Sequence, residues 1–182
     1  MPPRPLLIVF KGHPGVGKST VARVLGRALN IAIIDKDDVK DVLAGVCTNA
    51  GGLSYEVMFR VARRQLLQGL HAICDSPLSE ELGYQSACAA AEAAQAALVV
   101  IECVCSDPAV WRSRIEQRAA QGLPTHQIDS WAALEQHLQR RATGSHYPIS
   151  HPYLLLDTIQ PLDQEVARAI AWLRNELELL GK

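Results

Sequence analysis

Gly12-His13-Pro14-Gly15-Val16-Gly17-Lys18-Ser19 meets the pattern GxxxxGK[ST] at every fixed position, and Thr20 follows directly. The chemistry open to such a run is phosphate binding. Gly12, Gly15 and Gly17 let the backbone curl around phosphate oxygens with no Cβ in the way. Lys18 supplies a mobile cation for terminal phosphates, and the Ser19 hydroxyl is a Mg2+ ligand. The context agrees: residues 6–10 (LLIVF) read as a buried parallel strand, and residues 19–29 place Val21, Val24, Leu25 and Leu29 at helical spacing. Backbone N–H groups at that helix N-terminus can face an anion.

Three further places carry charged residues where a strand should end, which is where ligands collect in an open parallel sheet. The first is Asp35-Lys36-Asp37-Asp38. Either Asp37 or Asp38 caps a short helix over 39–43, or one carboxylate accepts the proton of an acceptor hydroxyl while another holds a metal-bound water. The second is Cys74-Asp75-Ser76, an apolar run ending in an Asp suited to the Mg2+ side of a phosphate site. Ser76 stands where hydrolytic motors carry a water-activating Glu, which argues against an ATPase. GTPase signatures are missing too, since no DxxG occurs and Asp35 to Asp38 resembles NKxD only loosely, after the wrong strand. The third place is Asp107-Pro108, opening a helix with Trp111, Arg114 and Arg118 along one face. The spacing lets both guanidinium groups reach one ligand as part of a closing lid, or form a solvated face paired with acids such as Glu116. Arg140 and Arg141 could join the same lid.

The elements that must position these groups follow from hydropathy. Apolar runs at 6–10, 31–34, 71–74, 97–105 and 153–156 alternate with helical patterns at 19–29, 39–43, 54–70, 80–96, 108–120, 130–141 and 164–180. Strands separated by helices imply parallel crossovers and a three-layer α/β sandwich. Gly51-Gly52 marks a loop, with Ser54 as the cap of the helix that follows. No repeat or second domain is visible, so residues 1–182 are expected to form one domain, with a lid at about 108–145 and an acceptor-side region at about 40–70.

A formal charge of -1 and a pI near 6.6 give no general bias toward nucleic acid or acidic membranes. Five scattered cysteines, odd in number and without a CxxC pair, suggest reduced thiols and give zinc little support. No signal peptide or bilayer-length apolar run is seen, so a soluble, cytoplasmic protein is expected.

Taken together, Gly12 to Thr20, the DxD of Asp35 to Asp37, Asp75 after a third strand and an RxxxR lid resemble the small P-loop kinases: shikimate and gluconate kinases, adenylate-kinase-like enzymes and chloramphenicol phosphotransferase. Asp37-Asp38-Val39-Lys40 is also similar to the Asp-Asp-x-x-Arg segment of polynucleotide 5′-hydroxyl kinases, with Lys40 in place of Arg. KGHPGVGKST, IDKDD and DSPLS resemble segments of plant and microbial ATP-binding proteins with an AAA-type P-loop domain. The resemblance implies a five-stranded parallel sheet in the order 2-3-1-4-5 with a helical lid. It implies ATP phosphates on Gly12, His13, Pro14, Gly15, Val16, Gly17, Lys18, Ser19 and Thr20, and Mg2+ at Ser19 with Asp75, or with Asp35 through water. Asp37 would be the base or acceptor-orienting group, and Arg114 and Arg118 would belong to the lid. Thr158, with Asp157 and Pro161, either shapes the adenine pocket or caps the last helix.

Acceptor recognition is expected between the second and third strands, with Asp37, Asp38, Lys40 and Arg60 as candidate substrate ligands and Tyr55, Arg63 and Arg64 nearby. His146 and His151 read as ordinary loop histidines or a metal pair. The leading expectation is an ATP- and Mg2+-dependent phosphotransferase acting on a small-molecule hydroxyl. The alternatives are a polynucleotide or RNA 5′-hydroxyl kinase and a non-catalytic, nucleotide-responsive regulatory module.

Overall fold

Leu6 to Phe10 are all at most 1% exposed, so this strand needs apolar cover on both faces and neighbours on both edges. It has them. In the computed structural model, which describes residues 4–122, 128–141 and 147–180, β1 (Leu6–Lys11) is the centre of a parallel sheet. Its companions are β2 (Ile33–Asp35), β3 (Ala72–Asp75), β4 (Ala97–Val104) and β5 (Tyr153–Asp157), in the order β2-β3-β1-β4-β5. The expected strand order and α/β class are therefore those found.

Alternation along β1 divides the core. Leu6, Ile8 and Phe10 pack with α1 (Lys18–Leu29) and α7 (Leu162–Leu180) on one face. Leu7 and Val9 pack with α3 (Ala50–Leu66) and α4 (Glu81–Ala93) on the other. The remaining helices, α2 (Lys36–Leu43), α5 (Pro108–Ala120) and α6 (Trp131–Arg141), stand at the carboxyl end of the sheet or beyond it. Parallel register sets Asp35 of β2 beside Asp75 of β3, so two carboxylates leave the sheet side by side.

Helix ends differ from the sequence expectations for local reasons. Gly51 and Gly52 lie inside the first turn of α3, because Asn49 rather than Ser54 is the cap, accepting from Gly52 N at 3.3 Å. Ser54 is fully buried, and its hydroxyl donates to Ala50 O. The same helix stops at Leu66, short of residue 70, where Gly69 at φ 78° closes it. In α4 the closing residue is Gln95 at φ 52°, so the helix ends at Ala93. Residue 31, expected in a strand, instead donates to Gly26 O at 2.9 Å as part of the α1 terminus. Neither Asp37 nor Asp38 caps α2: the cap is Asp35, whose Oδ1 accepts from Asp37 N at 2.8 Å.

All five cysteines are free thiols, with Cys74, Cys103 and Cys105 buried. Among the described residues no helix is long and apolar enough to cross a membrane.

Candidate active site

The loop leaving β1 has a shape that only glycine permits at two points. Gly12 sits at φ 137°, and a Cβ there would lie 2.3 Å from Cys103 O of β4. Gly15 sits at φ 79°, and its Cβ would lie 2.4 Å from Ile115 Cδ1 of α5. Gly12 N donates to Pro77 O at 3.0 Å, anchoring the loop to the segment after β3. No side chain caps the N-terminus of α1 and no acid occupies its first turn, so its leading N–H groups are left for an anion.

Lys18 is 9% exposed, with Nζ donating to His13 O at 3.0 Å. Burial pulls its pKa down, while the charges of Asp75 and Asp37 pull it back up. Burial in turn raises Asp75, against the opposing effects of Lys18 and of the Ser19 hydroxyl, which is hydrogen-bonded to it. Asp35 is pushed up to about 6 by burial and then by the charge of Asp75, with the Asp37 N–H bond acting the other way.

Helix α5 is bound to the phosphate loop along its length. Asp107 caps it by accepting from Ala109 N and Val110 N, at 2.8 and 3.3 Å. Trp111 Nε1 donates to Pro14 O at 2.9 Å, the His13 ring stacks on Trp111 at 6.1 Å, and Trp131 of α6 meets Trp111 edge-on at 5.7 Å. His13 is held below the ordinary histidine value by burial and by the neighbouring cations Lys11, His137 and Lys18.

Arg114 donates to Thr158 Oγ1 and Thr158 O, both at 2.7 Å, and to Val16 O at 3.4 Å. Thr158 Oγ1 lies 2.6 Å from Val16 O, completing a clamp between α5, the phosphate loop and the end of β5. Arg118, one turn further on, lines the cleft and adds to the positive field that lowers Lys18. Both arginines line the same cleft. Arg114 grips Thr158 and the loop carbonyl of Val16, whereas the charge of Arg118 reaches Lys18. Neither Asp157 nor Thr158 caps the last helix, whose first turn closes on Pro161 O.

One continuous cleft of about 1680 Å³ joins this loop to α2, α3 and α4. Pro14, Gly15, Gly17, Lys18, Ser19, Thr20, Asp35, Asp37, Asp38, Lys40, Arg60, Asp75, Arg114, Arg118 and Thr158 all line it. Gly12, His13 and Val16 do not: Gly12 and Val16 are buried, and the His13 ring turns toward Trp111.

Residues 7–142 match the profile of a known family described as AAA domain. The chain belongs to that family. No curated protein sequence matches it significantly. Among solved structures, it is similar to a candidate kinase from Chloroflexus aurantiacus, at 27% identity over 98% of both chains with a TM-score of 0.77. It also shares its fold with the APS kinase of Mycobacterium tuberculosis, solved with AMPPNP and APS (20% identity, 95% of this chain and 99% of that one, TM-score 0.66). A gluconokinase from Sinorhizobium meliloti has the fold as well (19%, 97% and 95%, 0.63). The architecture is that of the small P-loop kinases.

The part of the cleft formed by α2 and α3 is built from side chains more than from backbone. Arg60 is paired with Glu56 at 2.7 Å, and its side chain is 78% exposed. Asp38 is exposed and Lys40 half-buried on α2. Arg140 Nε donates to Gln136 O, while the side chain of Arg141 and all of His146 lie outside the described residues. His151 Nδ1 is 2.6 Å from the Tyr84 hydroxyl, tying the 147–152 segment to α4. Lys36, to which sequence reading gave no role, is 5% exposed with Nζ 2.8 Å from Asp37 Oδ1. A lone lysine among three aspartates at a strand end was the available signal. Among the described residues no group of three or more His, Cys, Asp or Glu side chains is arranged to hold a metal unaided.

Proposed function

We propose that this AAA domain is an ATP-dependent phosphotransferase that moves the γ-phosphoryl group to a hydroxyl of a small molecule. The observation that carries the reading is one cleft lined both by the phosphate loop and by the Asp37 carboxylate of α2, whose charge reaches Lys18. Such a cleft holds donor and acceptor side by side, which is most of what phosphoryl transfer asks of a protein.

In this reading the backbone of residues 12–20 and the free N–H groups of α1 hold the ATP phosphates. Lys18 stabilises charge on the oxygens next to the bond that breaks, and Arg118 supplies a second cation as α5 and α6 cover the nucleotide. Asp37 accepts a hydrogen bond from the acceptor hydroxyl and aims it in line with the phosphorus. Arg114 acts at one remove, fixing the loop through Val16 and Thr158.

The donor set suits Mg2+: Ser19, Asp75 and Asp35 offer hard oxygens, and carboxylates raised by desolvation and by neighbouring carboxylates are those a divalent cation relieves. Ser19 and Asp75 would hold it, with Asp35 through water, and when bound it would neutralise charge on the transferring phosphates. Because those residues are few, phosphate oxygens and water would complete the shell.

Charge favours a small acceptor over a polynucleotide. Asp37, Asp38, Asp41, Glu56 and Glu80 line the acceptor side together with Lys36, Lys40, Arg60 and Arg63, and of these cations Arg60 and Lys36 are paired with carboxylates at 2.7 and 2.8 Å. A polyanion calls for a run of unpaired cations. The test is incubation with γ-labelled ATP, Mg2+ and a broad set of hydroxylated metabolites. Label on a small molecule, lost in Lys18→Ala, is the expected result. Label on an RNA 5′ end would instead favour the polynucleotide reading, and stoichiometric ATP binding with no transfer a regulatory module.

A further inference from the structure

Lys36 is a buried ionisable group for which the scheme above has no use. Its side chain is 6% exposed, whereas that of its partner Asp37 is 42% exposed and open to the cleft. Besides the 2.8 Å contact to Asp37 Oδ1, Nζ lies 5.5 Å from the centroid of the Tyr55 ring on α3. That ring is itself fixed. It stacks on Phe59 at 6.2 Å, and its hydroxyl accepts from Leu78 N at 3.1 Å. Leu78 has φ 44°, and its carbonyl accepts from the Tyr147 hydroxyl, so the segment just after Asp75 is held from both sides. The residue before it, Pro77, carries the carbonyl that anchors Gly12. The chain of contacts therefore runs from Asp37 through Lys36, Tyr55 and the 77–78 segment to the entrance of the phosphate loop.

Stability does not account for this arrangement. A buried ammonium is costly to desolvate, and an apolar side chain of similar length in the same groove commonly serves stability as well or better. A carboxylate at the first turn of a helix, by contrast, has several rotamers to choose from, and an ammonium at 2.8 Å selects one of them.

We infer that Lys36 is a positioning residue of the transfer step: clamped by the Tyr55 ring, its ammonium holds the Asp37 carboxylate in the orientation that receives the acceptor hydroxyl. This rests on the phosphotransferase reading. Lys36 does not touch phosphate or acceptor in this role, and its whole contribution passes through Asp37.

The experiment is a double-mutant cycle of Lys36→Met and Asp37→Asn on the full chain. The rate read is γ-phosphate release from saturating Mg·ATP under single-turnover conditions, with water as the surrogate acceptor. Affinity for Mg·AMPPNP is measured in parallel. The expected result is a loss of about tenfold or more in rate for Lys36→Met, with nucleotide affinity within about threefold of wild type. The double variant is expected to be no slower than Asp37→Asn alone. Lys36→Ala should regain rate when ethylammonium is added, which a merely structural lysine would not do, and this arm serves if Lys36→Met fails to fold. A wild-type rate in Lys36→Met, or losses that multiply in the double variant, would overturn the role given to Lys36. A wild-type protein that neither binds Mg·AMPPNP nor releases phosphate overturns the phosphotransferase reading itself.

Discussion

The two ends of the cleft are made in different ways. Around the phosphate loop the shape is backbone: glycines at positive φ, an uncapped helix N-terminus, and at Gly12 a backbone contact that excludes any Cβ. Around α2 and α3 the shape is side chain: Asp37 held by Lys36, Lys36 held by Tyr55, Arg60 turned to solvent beside Glu56. A backbone site recognises a chemical group common to many substrates, whereas a side-chain site can change its ligand by single substitutions.

The contrast can be broken first at its centre. Lys18→Ala should lower transfer by about a thousandfold or more, because a buried cation facing the phosphates has no substitute; a variant retaining a tenth of wild-type activity would remove Lys18 from the step. Asp37→Asn should cost about a hundredfold in kcat while leaving Mg·AMPPNP affinity nearly unchanged. Calorimetric loss of nucleotide binding in that variant would reassign Asp37 to the donor side.

The arginine pair offers a sharper cut. Arg118→Ala should slow transfer by about ten- to a hundredfold with little change in melting temperature. Arg114→Ala should do the reverse, destabilising the fold by about 1–3 kcal/mol as Thr158 and Val16 O lose their donor. Thermal melts and kcat measured on both variants decide it, and matching profiles would erase the distinction drawn between the clamp and the cation whose charge reaches Lys18.

A smaller effect should appear with pH. Asp35 titrates near 6 in the folded protein, above its ordinary value of 3.8. The native state therefore holds more protons than the unfolded chain between those values. Stability without nucleotide or metal should fall as pH rises from about 4 to about 6 and level off above that, and Mg·AMPPNP should reverse the loss. A melting temperature that instead climbs across this range would show that burial does not govern Asp35. Smallest of all, Arg60→Ala should leave kcat/KM within about twofold of wild type, since an exposed pair such as Arg60 and Glu56 contributes little. A tenfold rise in acceptor KM would restore Arg60 as a substrate ligand.

Legibility in the sequence followed the same division. The phosphate loop and the α/β class were readable because glycine spacing and hydropathy encode backbone geometry locally, whereas the strand order came only through the resemblance to small P-loop kinases. The partition between Arg114 and Arg118 was not, because it depends on Thr158, whose hydroxyl arrives from the end of β5. Nor was the inclusion of Gly51 and Gly52 in α3, where the Asn49 cap and the buried Ser54 outweigh glycine's poor helix propensity. Asp35 illustrates the point within one motif. Four charged residues in a row announced a site, yet only the fold shows that one of them spends an oxygen on capping α2 while its neighbour in register is Asp75.

The contact between Trp111 and Pro14 has a practical side. Three tryptophans occur in the chain, and two of them, Trp111 and Trp131, meet edge to face directly behind the phosphate loop. An indole whose N–H is bonded to the loop backbone changes its emission when that carbonyl shifts or its electrostatic surroundings alter. The unlabelled protein therefore carries its own optical gauge of whether the loop is filled, and ligands can be ranked by fluorescence before any product has been identified.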